Sequence, residues 1–467
     1  MKKIILLLSL FSVLITAFSC EDLDDNPVPV SNEIKDFVWR GMNLYYLWQA
    51  DVPDLANSKN DNLKEYYSFL NAYPDPIKFF NHLRIDKSID KFSTIYSDYS
   101  VLEGVLSGNT LNNGMDYGLR RKSGSATVIY GWVRYILPNS DASTKNIQRG
   151  DIFYAINGIS LYDDGEGNQN WYNLLNSNDT YTLNLANYNN GNITPNGKSV
   201  TLTKTNLTEN PIFLNTVINQ GSHNIGYLVY NGFYSSYDNQ LNAVFGNFAT
   251  QNVTDLVLDL RYNSGGSVNT ATKLASMITG QFTNQVFARQ QWNAKAANYY
   301  GSPENKFIGN LNSLNLNTVY ILTSKSTASA SELVINGLKP YINVVQIGDV
   351  TTGKNVGSIT LYDSPNFTKS NVNPNHKYAM QPIVLKIVNR DGFGDYASGI
   401  SPNHLLGENL NNMGILGDPN EPLLHKAIDL ITGSGKKLPG YPSAIDRDFM
   451  DAKSINPLRS EMYLENK

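Results

Sequence analysis

Three regimes of hydrophobic spacing follow one another along the chain. Between residues 31 and 98, Ile34, Phe37, Val38, Gly41, Leu44, Tyr45 and Trp48 recur at helical spacing, behind Ser31 as a helix cap. The same spacing at 63–70 and 77–83, divided by Tyr73-Pro74-Asp75-Pro76, predicts two more helices and a small helical N-terminal domain. From 99 to 205 the apolar runs are short and separated by turn residues. Runs at 127–130, 133–137, 181–188 and 198–203 predict strands, the last two as a hairpin with Asn190-Gly191 and Asn196-Gly197 in its connection. From 206 to 435 strand patterns (225–230, 255–260, 318–323, 344–348) alternate with helix patterns (Leu241, Val244, Phe245, Phe248; then 268–279 and 330–339). Such alternation predicts an α/β domain with parallel strands and right-handed crossovers. Residues 436–467 read as a C-terminal tail, so the expected whole is a multi-domain α+β chain.

The N-terminus departs from all three regimes. Met1-Lys2-Lys3 precedes an apolar run over 4–18 that is too short to span a bilayer comfortably and reads as a secretory signal. It ends Thr16-Ala17-Phe18-Ser19-Cys20. A small residue before the lone cysteine resembles a bacterial lipobox, which implies a signal peptide over 1–19, lipid on Cys20 and a tethered mature chain. Ala17 stands where such boxes usually carry leucine, and an ordinary signal peptide with an incidental cysteine is the alternative. Glu21, Asp22, Asp24 and Asp25 make 20–30 an acidic linker. The run resembles the surface-export signal of some Gram-negative lipoproteins, and reads equally as a solvated spacer. The expected location is extracytoplasmic, on the outer membrane, facing the periplasm or the surface.

Composition removes several function classes. With 37 basic and 41 acidic residues the formal net charge is −4, against an electrostatic nucleic-acid binder. One cysteine excludes an internal disulfide framework and a cysteine zinc cage. The five histidines show no metal-ligand spacing, and no cofactor is expected.

Chemistry is expected beyond the C-terminal ends of the parallel strands, where such sheets place their ligands. Ser329 follows the strand pattern at 318–323 and opens a helix, where free amides such as that of Ala330 can hold an oxyanion. Ser329-Ala330-Ser331-Glu332 also reads as an S-x-x-E capping box, a purely structural use. A ten-residue helix descends about 15 Å, and the strand at 344–348 climbs back about 16 Å. The loop holding Lys354 therefore returns to the edge that holds Ser329. A buried lysine beside a serine can act as general base once its pKa falls from about 10.4 toward neutrality. Gly265-Gly266 lets backbone amides approach a substrate carbonyl. His404, in a loop near the same edge, leaves a Ser–His arrangement open.

These segments resemble the carboxyl-terminal processing proteases, serine peptidase family S41. Residues 327–332 resemble the nucleophile motif, and Thr352-Gly353-Lys354 the lysine loop, with Lys354 25 residues after Ser329. Residues 259–266 resemble the D-x-R-x-N-x-G-G oxyanion element. Upstream, Gly150-Asp151-Ile152 through Ile156-Asn157-Gly158, with 138–142 before it, resembles a PDZ domain, though Gly150-Asp151 alone is only a turn. The resemblance implies a helical domain, a PDZ-like domain over 99–205 and a ClpP/crotonase-like catalytic domain over 206–435. It implies Ser329 as nucleophile, Lys354 as base, and Gly265, Gly266 and Ala330 around the oxyanion. It also implies Tyr117, Gly118 and Leu119 as a loop holding a peptide carboxylate, and as substrates polypeptides, unfolded or at their C-terminal segments. The family's lysine-orienting glutamine is Ser358 here, and its acidic alternative is Pro340. Ser358 is taken as the third member, and a non-catalytic peptide- or ligand-binding lipoprotein on the same fold is the alternative.

Overall fold

The computed structural model describes residues 29–434, 447–453 and 461–465. Cys20, the signal segment and most of the acidic linker lie outside the described residues. Among the described residues no helix is long and apolar enough to cross a membrane.

The first helix runs Glu33–Tyr45 and buries Phe37, Val38, Met42 and Tyr45 on one face. Its N-cap is Asn32, not Ser31, which sits in a short 3-10 turn over Val30–Asn32. The helix stops at Tyr46, whose backbone is extended, so Trp48 lies beyond it. Helices Leu63–Asn71 and Pro76–His82 follow, N-capped by the side chains of Asn62 and Asp75. This region is no separate globule. Phe37, Tyr46 and Phe79 share one hydrophobic core with Leu228, Leu258 and Leu333, and strand Thr94–Tyr96 pairs with Ala379–Gln381.

A β-rich region is built on antiparallel strands Met115–Arg121, Ile129–Ile136, Ile152–Ile156, Thr180–Asn189 and Asn192–Thr203. Asn190-Gly191 is the turn of the last hairpin, with Asn190 at φ 46° and Gly191 at φ 87°. Asn196-Gly197, expected in the same connection, lies instead within the second strand, where Gly197 is at φ 75° and the register shifts. That is a bulge, the other use of an Asn-Gly pair.

The α/β region holds a six-stranded sheet in the order Ile212–Gln220, His223–Tyr230, Asp255–Asp259, Thr318–Thr323, Asn343–Gly348, His404–Leu405. Every pairing after the first is parallel. Strand Asp255–Asp259 reads almost entirely buried, as a strand covered on both faces must. A second six-stranded sheet runs Gly266–Ser267, Met462–Tyr463, Val356–Ser358, Ile383–Asn389, Val286–Trp292, Glu304–Lys306.

The C-terminal segment is not a tail. Arg447–Asp451 pairs antiparallel with Met115–Arg121 at the edge of the β-rich sheet. Met462–Tyr463 lies between Gly266–Ser267 and Val356–Ser358 inside the second sheet, with Met462 fully buried. Met462–Tyr463 is too short to display a period, and Arg447-Asp448-Phe449-Met450-Asp451 does not alternate apolar with polar, so the sequence pattern passes over both.

Candidate active site

The segment between strand Thr318–Thr323 and helix Ala330–Leu338 is a tight, buried turn. Thr327 donates its amide to the Ser324 carbonyl and its hydroxyl to the Leu260 carbonyl at 2.8 Å. Ser324 donates its hydroxyl to the Arg261 carbonyl, tying this turn to the D-x-R element. Ser329 ends the turn with φ 64° and ψ −118°. That backbone is strained for a residue with a side chain, and strain of this kind gathers at functional sites. The Ser329 hydroxyl is fully buried and makes no hydrogen bond. The helix cap is supplied from the other direction: Glu332 accepts the Ser329 amide at 2.8 Å.

Glu332 does more than cap. One of its oxygens accepts the amides of Ser329 and Lys354, each at 2.8 Å. The other accepts the Gly353 amide at 2.7 Å and the Thr351 hydroxyl. A single buried carboxylate thus staples the serine turn to the lysine loop. Burial pushes its pKa up, against the pull of the donors around it. Two of the four donors lose their acceptor in Glu332→Gln, because one oxygen becomes an NH₂. At about 1–3 kcal/mol for each stranded buried group, the urea midpoint of this variant should correspond to a loss of about 2–6 kcal/mol. A shift below about 0.5 kcal/mol would contradict the staple.

Lys354 is fully buried in the loop after strand Asn343–Gly348. Gly353, at φ 94°, brings the loop so close to 397–399 that an added Cβ would lie 2.4 Å from the Ala397 carbonyl oxygen. The same stretch braces the loop through paired bonds of Thr351 with Ile400. The Lys354 amine lies 3.0 Å from Glu461 Oε2 and 4.2 Å from the centroid of the Phe92 ring. Burial holds its pKa below the usual lysine value, against the raising influence of Glu461, Asp90 and Glu332. His404 lies in the edge strand beside Ile347 and Gly348. It is the backbone of the preceding residues, not its ring, that supports the lysine loop.

Gly265 lies against the serine. A Cβ there would sit 2.6 Å from Ser329 Oγ and 2.9 Å from the Glu461 carbonyl oxygen. Its φ of 115° also favours glycine. The structure corrects one part of the expected oxyanion set: the Gly265 amide donates to Asn263 Oδ1 at 2.9 Å and is already taken. Gly266 enters the ladder beside Met462. Ala330 is the first residue of the helix, where amides have no intrahelical acceptor.

Arg261 anchors the D-x-R element. It reaches Asp259 at 2.8 Å and Glu421 at 2.6 Å with no exposed surface. Glu408 sits beside it and, although burial opposes ionisation, Arg149 and Arg261 hold it down to about 2.

Two expected sites are placed differently. Tyr117, Gly118 and Leu119 are not a loop but the middle of strand Met115–Arg121, paired with Ile129–Ile136 on one side. On the other side Asp451 faces Gly118 and Met450 faces Leu119, and Phe449 packs edge-on against Trp171 at 5.8 Å. The chain's own C-terminal strand fills that edge. Ser358 does not bond Lys354: its hydroxyl donates to Glu461 Oε2 at 2.5 Å. Glu461 and the stapling role of Glu332 are the residues sequence reasoning missed. The first has no motif around it, and the second was read only as a cap.

Residues 224–370 match the model of "Peptidase family S41" and residues 33–94 that of the "Peptidase S41 N-terminal domain". The solved structure "Putative S41 protease from Bacteroides fragilis NCTC 9343" is 27% identical and superposes with a TM-score of 0.65 over 86% of this chain and 98% of that one. Weaker likenesses include the photosystem II D1 C-terminal processing protease (17% identity, 83% and 95% coverage, TM-score 0.49). Mature CPAF complexed with lactacystin is another (12%, 86% and 98%, TM-score 0.45). The chain thus carries a peptidase family S41 domain behind an S41 N-terminal domain, and it is a serine-type peptidase.

Proposed function

We propose that the protein is an endopeptidase that cleaves unfolded or C-terminal polypeptide segments with Ser329 as nucleophile and Lys354 as its general base. The observation that carries this reading is the buried Ser329 hydroxyl, strained in backbone and free of any hydrogen bond, on a turn that Glu332 ties to the loop of a buried lysine. Neutral Lys354 takes the hydroxyl proton as Ser329 Oγ attacks the scissile carbonyl. The amide of Ala330, at the positive end of its helix, supports the oxyanion. Lys354 returns the proton to the departing amine, and water then releases the acyl group from Ser329.

Both catalytic groups are fully buried, so polypeptide entry requires movement of an element above them. The β-rich region is suited to this. Its Arg134 donates to the Ser326 hydroxyl at 2.8 Å, three residues before the nucleophile, and pairs with Asp451 at 3.1 Å. A PDZ-like role for this region, with substrate added to the strand edge now held by Arg447–Asp451, is part of the proposal. So are lipidation of Cys20 and residence in the envelope or at the cell surface. The test of the reaction class is the product set from a permanently unfolded protein. Mass spectrometry should find new internal termini from the first time points. A ladder shortened one residue at a time from the C-terminus would mean exopeptidase trimming.

A further inference from the structure

The lysine-orienting residue expected four positions after Lys354 is a serine in this chain, yet the site is not left without one. Glu461, just before strand Met462–Tyr463, has no exposed side chain and lies 3.0 Å from Lys354 Nζ. The same oxygen, Oε2, accepts the Ser358 hydroxyl at 2.5 Å. Ser358 in turn accepts from Gln381 Nε2 at 3.1 Å, and Gln381 Oε1 accepts from Thr360. A relay of side chains therefore ends on a carboxylate that sits beside the lysine amine.

We infer that Glu461 is the positioning residue of the dyad, delivered from the C-terminal strand to the place where Ser358 cannot reach. This rests on the Ser329–Lys354 reading. The amine sits at ion-pair distance, 3.0 Å, from Glu461 Oε2, which fixes its position within the buried site. Placement in mid-sheet makes this permanent. Met462 sits in the main core, and Leu464 donates its amide to the Ser358 carbonyl at 3.1 Å. The segment is a structural member of the sheet, and it carries Glu461 into the site with the rigidity of the sheet.

The charged groups facing Lys354 come from three directions: Glu461 from the C-terminal strand, Glu332 from the nucleophile helix, and Asp90 from the N-terminal region. Asp90 is itself engaged by Tyr46 at 2.8 Å and Arg84 at 3.2 Å. Glu461 faces Lys354, Ser358 and Asp90. Burial pushes its carboxyl up, against the pull of Lys354 and Ser358, and a glutamine would keep its length and an oxygen facing the amine. Glutamine is thus the conservative substitution here.

The experiment compares wild type, Glu461→Ala, Glu461→Gln and Ser329→Ala on one unfolded substrate across pH, with melting temperatures. Glu461→Ala should lower kcat by about 100-fold, the size of effect that follows a misplaced catalytic group. Glu461→Gln should recover most of that rate. Because it removes an anion that raises the lysine pKa, its rising limb of activity should move to lower pH. Wild-type rate and an unmoved limb in both Glu461 variants, with Ser329→Ala dead, would overturn the positioning role and leave the dyad standing. Cleavage by Ser329→Ala would instead overturn the dyad. If Glu461→Ala does not fold, the limb position in Glu461→Gln decides alone.

Discussion

Ser329→Ala should lose turnover by about 10⁴-fold or more and melt no lower than wild type. The two halves of this result separate the nucleophile from the helix cap. A capping serine replaced by alanine costs about 0.5–2 kcal/mol. Here the hydroxyl makes no hydrogen bond, and a buried polar group without a partner itself costs about 1–3 kcal/mol. Its removal is therefore expected to be neutral or to stabilise by about 1 kcal/mol. The strain at φ 64° remains in both, because alanine carries the same Cβ. An inactive variant of raised melting temperature is the signature of a group kept for function at the expense of the fold. Calorimetry and substrate cleavage on the same preparation check it. A variant that is inactive and less stable by 1–2 kcal/mol would return Ser329 to the capping role.

Lys354→Met should be equally inactive, and its stability should acquire a pH dependence of known sign. Methionine fills the volume without an amine, so Glu461 loses its cation. Its carboxyl, already pushed up by burial, rises further. The folded state then keeps a proton that the unfolded chain releases above about 4.5. Protons bound in excess by the native state mean that stability falls as pH rises from there. In wild type the activity has the opposite slope. Only the neutral amine accepts the serine proton, so the rate should rise with pH and level off below the ordinary lysine pKa of about 10.4. Retained cleavage in Lys354→Met, or activity flat in pH up to 10, would remove the lysine from the mechanism.

Much of this site was legible before any coordinates. The nucleophile turn and lysine loop lie on segments whose strand and helix patterns fix where they emerge, so 25 residues of spacing sufficed to bring Ser329 and Lys354 to one edge. The D-x-R element was legible for the same reason, though its arginine proves to be a fully buried anchor and its first glycine amide is spent on Asn263. Glu461 was not legible. Strands Arg447–Asp451 and Met462–Tyr463 are five and two residues long, and pairing partners from elsewhere in the chain, not local periodicity, make them strands. Only the PDZ resemblance places Tyr117-Gly118-Leu119 in a carboxylate-holding loop, and the segment lies mid-strand. Gly118 instead accommodates the Trp132 indole, which an added Cβ would meet at 2.5 Å.

The central claim is that Ser329 cleaves polypeptides with Lys354 as its base. The direct test is cleavage of a permanently unfolded protein by wild type and Ser329→Ala, prepared side by side and assayed from pH 6 to 10. The account predicts wild-type cleavage that rises with pH and none by the variant at any pH. Equal cleavage by the two, or no cleavage by wild type across several unfolded substrates, would contradict it.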